Sequence, residues 1–242
     1  MRVARALRSA PARDDPPMDA TLDYWRALVR SDDSLPLFEA ALAIAQDAYP
    51  DLPMAELLAR VDGFALTLRR RLEAFRQPAA KIDALREYFA DQLGFRGNAN
   101  DYYDPDNSYL NRVIERRLGI PISLSVLYIE LAEQVGLPAS GIGFPGHFLV
   151  RHDMADGAIV VDVFAGARAL SQEELEYRLL PYAAGDRAHA GRLLAARLDA
   201  ATPRAILARM LRNLQAIHAE RGDAARLRAV ERRLAVLADP QR

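Results

Sequence analysis

The stretch "GFPGHFLVR", residues 143–151, sets a histidine between a glycine–proline turn and an apolar, alternating run. An imidazole in that position can move a proton near neutral pH, or hold a loop through one ring nitrogen. Asp162 follows in "AIVVDVF", and a hairpin through "DMADG" brings the two strands together. Two registers are open. A hairpin centred near residues 154–155 places His147 opposite Asp162, whereas a tight turn at Asp156-Gly157 places Arg151 there and makes a salt bridge the simpler outcome. Upstream, "GIPISLSVLYIELAEQVGLP" opens with Ser123 and Ser125. Hydroxyls there sit among unpaired amides at the positive end of a helix dipole, a setting that favours an anion. A serine in such a place is equally an ordinary helix cap.

Composition narrows the chemistry. The 242 residues contain no cysteine, which excludes disulfides, thiolate metal sites and a cysteine nucleophile. The other histidines, His152, His189 and His218, are too scattered for a metal set, and no cofactor is expected. Asp104 and Asp106 do not open an EF-hand loop, because its fifth and sixth positions are Ser108 and Tyr109. A net charge of −1 supplies no field for nucleic acid or an anionic membrane, and the Arg69–Arg71 run reads as a solvated helix face. No apolar run approaches the roughly 18 to 20 residues that span a bilayer. A cytoplasmic location follows by default.

The elements that must position these groups are mostly helical. "LPLFEAALAIAQDAYP", "MAELLARVDGFALTLRRRLEAF" and "KIDALREYFADQLGF" repeat apolar residues at helical spacing and form an N-terminal layer over 19–98. Residues 1–18, arginine-rich and closed by a proline pair, read as a disordered tail or as an over-extended start before Met18. "GFRGNANDYYDPDNSYLNRVIERRLG" reads as a loop with rigid turns, then a short helix capped by Ser108 and ended by Gly119. The helix begun by Pro121 is apolar nearly all round in its first turns, so it is central and buried. After the two strands, Ser171 and Glu174 form a capping box. Thr202-Pro203 starts a further helix, and Gly222-Asp223 separates it from the last.

The strings "ALAIAQDAYPDL", "GFRGNANDYYDPDNSYLNRVIERRLGIPISLSVLYIELAEQVGLP", "GFPGHFLVR" and "VVDVFAGARALS" resemble the bacterial SirB-type family of the transglutaminase-like and papain-like superfamily. The resemblance covers roughly residues 35–240. It implies a transglutaminase-like core over 99–182 and tetratricopeptide-like helices over 183–242, although one helix pair is too few for a solenoid. It places His147 where the superfamily carries its general base and Asp162 where it carries the group orienting that base. The nucleophile position falls within Pro121–Ser125, where no cysteine stands. The usual Asp-Pro-Phe is Asp162-Val163-Phe164, which implies relaxed constraint around the aspartate. A related domain in an F-box adaptor implies that the fold can serve recognition.

The expected fold is therefore α+β: helices around a small antiparallel sheet, with a C-terminal helical hairpin. The expected function is non-catalytic, regulatory or interaction-based, with a protein or peptide partner. The alternative is a hydrolase or acyltransferase for amides or esters, using Ser123 or Ser125 with His147 and Asp162. A serine loses its proton only during attack, so that alternative requires a hydroxyl within about 3 Å of the imidazole.

Overall fold

Helix α6, Pro121–Gln134, is the axis of the computed structural model, which describes residues 18–155 and 157–239. Every residue from Pro121 to Ile129 is buried, as are Leu131 and Ala132, while Glu130, Glu133 and Gln134 reach outward. A helix apolar on all sides needs neighbours on all sides, and the chain provides them. Helices α2 (Leu37–Ala43) and α3 (Met54–Leu72) cover one flank, and a sheet covers another. The expectation for residues 1–17, and the hairpin residue Asp156, lie outside the described residues.

The sheet is antiparallel and four-stranded, in the order β3 (Ser140–Ile142), β4 (Leu149–Met154), β5 (Gly157–Asp162), β6 (Arg168–Leu170). Arg96–Gly97 and Leu118–Gly119 form a separate two-residue parallel pair, β1 and β2. Strand alternation sorts the side chains of the larger sheet into two cores. Phe148, Val150, Val161 and Val163 face the main core with α6. Leu149, Val160 and Leu170 face a second core, closed by Leu175 and Leu179 of α7 (Gln172–Leu179) and by Ala190 and Leu194 of α8 (Arg187–Ala195). The architecture is α+β, as expected. In the β4–β5 hairpin Met154 pairs with Gly157 and Val150 with Val161. That register falls between the two considered, so neither His147 nor Arg151 stands directly across from Asp162.

Local signals act where the sequence places them, with two shifts. The Ser171–Glu174 capping box forms, Thr202 caps α9 (Pro203–Glu220), and Gly222 turns at φ +67 before Asp223 caps α10 (Ala224–Ala238). Helix α5 (Leu110–Arg116) begins after Tyr109, one residue beyond the expected Ser108 cap. It ends at Arg117, before Gly119, in a left-handed conformation at φ 61. That conformation is costly for a side chain, but the Arg117 guanidinium lies over Phe64 and Phe95, 4.9 and 4.5 Å from their centroids. The acidic loop ahead of α5 is neutralised from the same helix: Arg116 meets Asp104 at 2.6 Å and Arg112 meets Asp106 at 3.0 Å.

The C-terminal pair packs into the main core. Leu207, Met210, Leu211 and Leu214 of α9 and Val230 of α10 join it alongside Trp25 of α1 (Met18–Leu28). The Trp25 indole donates to the Arg233 carbonyl at 3.2 Å. Arg233 itself is buried, its guanidinium 5.3 Å from the Trp25 ring and forked onto Asp47 at 2.5 and 3.0 Å. Removing one partner of a buried ion pair strands the other charge. Asp47→Ala is expected to destabilise the protein by about 3 kcal/mol in urea melts. A loss below about 0.5 kcal/mol would show that Arg233 is satisfied without its carboxylate.

Candidate functional site

His147 is carried by a turn that its own sequence dictates. Phe144-Pro145-Gly146-His147 closes with the His147 amide donating to the Phe144 carbonyl at 3.0 Å. Pro145 occupies the second position and Gly146, at φ +68, the third, the requirements of a type II turn. The imidazole thus precedes β4 and leans over the end of β5. There its Nε2 lies 2.8 Å from Asp162 Oδ1.

Asp162 is almost fully buried, at 3% side-chain exposure, against 19% for His147. Oδ1 also accepts from the Ala165 amide at 3.2 Å, and Oδ2 accepts from Arg178 Nη2 at 2.9 Å. Burial pushes the carboxyl pKa up, but the hydrogen bonds and charges of His147 and Arg178 outweigh it and hold the group below the usual carboxylate range. The aspartate is therefore tightly engaged. An ionised carboxylate only accepts, so His147 Nε2 carries a proton toward Asp162. Nδ1 has no hydrogen-bond partner among the described residues.

The two serines lie elsewhere in the bonding pattern. Ser123 Oγ donates to the Asn107 carbonyl at 2.5 Å and accepts from the Ile120 amide at 3.1 Å, closing the first turn of α6. Asn107, fully buried, is in turn fixed by Asn98 Nδ2 at 3.0 Å and by its own bond to the Asp101 carbonyl at 2.6 Å. The helix start is thus capped from within and roofed by the 98–107 loop, and Ser123 takes the helix-cap role of the two settings considered for it. Ser125 is also fully buried, and its hydroxyl has no partner among the described residues. Among the described residues neither serine bonds His147. The structure brings His147 and Asp162 together and leaves Ser123 and Ser125 out of that contact.

Four further residues complete the site. Arg178 comes from α7, and Arg209 from α9 donates to the His147 carbonyl at 2.7 Å. Phe164 sets its ring edge-on to His147 with centroids 6.1 Å apart, and Tyr102 meets Phe164 at 6.1 Å. Gly97 is required beneath Phe164: a Cβ there would sit 2.5 Å from the ring. No periodic or motif signal marks Arg178 or Arg209, since arginine supplies nearly all the positive charge of the chain. The other buried histidines are tied into the packing. His152 joins Tyr128 Oη and the Pro138 carbonyl, and His218 joins Tyr109 Oη. Among the described residues no group of His, Asp and Glu is placed to hold a metal ion, and no helix is long and apolar enough to cross a membrane.

A buried helix followed by a turn-borne histidine and a strand-end aspartate defines a transglutaminase-like arrangement. Residues 55–212 match the family model described as Transglutaminase-like superfamily, and the chain belongs to that superfamily. It is similar to a UPF0162 protein of Xylella fastidiosa (strain 9a5c), 45% identical over 199 residues, 82% of this chain and 70% of the relative. A UPF0162 protein of Pseudomonas aeruginosa is 32% identical over 206 residues, covering 85% of this chain and 70% of its own length. Mouse F-box only protein 21 is 42% identical over 104 residues, which is 40% of this chain and 17% of that protein. No solved structure matches the chain.

The depressed Asp162 pKa makes its pairing a source of stability that is present above the unfolded carboxylate range and lost as pH falls through the folded value. Asp162→Asn is expected to cost about 2 kcal/mol at pH 7. The gap between the two proteins should then narrow in melts taken below about pH 4. A gap of equal size at pH 7 and pH 3 would show that the carboxylate charge is irrelevant to the fold.

Proposed function

We propose that this chain is a non-catalytic transglutaminase-like protein of the SirB type, acting in the cytoplasm by binding a protein or peptide partner beside His147. The observation that carries this reading is the commitment of Ser123. Its hydroxyl, the most natural replacement for a thiol at the head of α6, is buried and bonded to the Asn107 carbonyl at 2.5 Å. The His147–Asp162 pair then has a base and an orienting group but nothing for the base to deprotonate. The likeness to an F-box protein over 104 residues supports a recognition role for this fold. In this reading helices α9 and α10, packed on one another, act as one tetratricopeptide-like unit that braces the binding face, with α9 contributing Arg209 to it.

A serine-dependent hydrolase is the second reading, favoured by one pair of facts: His147 Nδ1 and Ser125 Oγ both lack partners. Fluorophosphonate labelling and turnover of aryl esters and peptide anilides separate the two. The expected result is no adduct on any serine and no turnover that differs between wild type and His147→Ala. An adduct on Ser125 that disappears in both Ser125→Ala and His147→Ala would replace the binding reading with a hydrolase.

A further inference from the structure

Arg209 is half-buried and, among the described residues, stands without a counter-charge. Its Nη2 holds the His147 carbonyl at 2.7 Å, and its guanidinium carbon lies 5.3 Å from the Phe148 ring centroid. Among the described residues it makes no ion pair, whereas neighbouring Arg178 is consumed by Asp162. Burial pulls the Arg209 pKa down, and the only ionisable group that works against this is Tyr102. A partly desolvated guanidinium has five donors, and one carbonyl and one ring face leave donors over. Such a group is ordinarily paired, because the missing partner costs more here than in water.

The surroundings describe what the partner must look like. Nη1 lies 3.8 Å from the position a Cβ would take on Gly143, an exposed glycine that leaves the approach open. Beside it Tyr102, 40% exposed, leans on Phe164 and forms an apolar wall with it. On the other side of the turn Tyr182, 56% exposed, sets its hydroxyl 3.3 Å from where a Gly146 Cβ would be. Planar aromatic surface around one unspent guanidinium suits a short extended segment that presents a carboxylate next to an apolar side chain.

Resting on the binding reading above, we propose that Arg209 seats a carboxylate of an acidic peptide segment, with the neighbouring side chain of that segment packed on Tyr102 and Phe164. The pairing supports a peptide of this kind: Arg178 is matched by Asp162, while Arg209 meets no carboxylate among the described residues. Arg209 thereby fixes register, and the aromatic wall selects the residue beside the acid.

The test uses the whole chain and an array of fluorescein-labelled octapeptides in which each glutamate peptide is matched by its glutamine counterpart, with free and amidated C-termini. Fluorescence anisotropy is expected to find glutamate peptides that bind about tenfold or more tightly than their counterparts. Arg209→Gln should erase that difference and Arg209→Lys should restore part of it. Tyr102→Ala, at an exposed position, should weaken the same peptides while thermal melting stays unchanged. Dependence on the free C-terminus alone would assign the carboxylate to a chain end, still on Arg209. Equal binding of glutamate and glutamine peptides would overturn the carboxylate proposal and leave the partner-binding reading intact. Binding unaltered by Arg209→Gln, or no binding by any peptide to the folded protein, would also overturn it. The hydrolase assays judge the non-catalytic reading separately.

Discussion

A carboxylate held away from water has to be paired, and Asp162 is paired from three directions. His147 reaches it from the turn ahead of β4, the Ala165 amide from the turn after β5, and Arg178 from α7. None of those groups is near the others in secondary structure, so the buried charge acts as the point at which turn, strand end and covering helix are registered against one another. The cost of desolvating the aspartate is offset only when all three arrive. His147 owes its orientation to this arrangement, and the aromatic wall of Phe164 is fixed by the turn that leaves the same residue.

The second organising element is the start of α6, where polar groups are spent internally. Ser123, Asn107 and Asn98 form a chain of buried hydrogen bonds that satisfies the first turn and ties the 98–107 loop to it. Ser123 thus closes the helix start, and its hydroxyl is bonded to the Asn107 carbonyl and the Ile120 amide, away from the contact between His147 and Asp162.

Much of this was legible in the residues. Alternation in HFLVRH marked β4, a β-branched run marked β5, and the all-round apolar face of α6 announced a buried axis. The glycines around Pro145 pointed to a tight turn at His147. The meeting of His147 with Asp162 was among the expected outcomes, yet it is reached through a type II turn and a register that the spacing did not specify. β3 and β6 escaped notice because three residues are too few to show a period. Arg117 ends α5 in a conformation usually given to glycine, stabilised by rings distant in sequence. Arg178 and Arg209 were invisible for a related reason: their meaning comes entirely from tertiary packing, and in a chain so rich in arginine no single one stands out.

The contact between Trp25 and Arg233 joins residues 208 positions apart. Its consequence concerns the order of assembly. Helix α1 is synthesised with a tryptophan whose cover, α10, follows much later in the chain, so this part of the main core cannot close before α10 is made. Contacts of such long sequence separation also slow folding, because the loop they close must be brought together before they repay its entropy. The nascent chain must therefore carry an exposed indole, and an Asp47 without Arg233, until α10 is released. In that interval it is most open to chaperones and to mispairing with other chains.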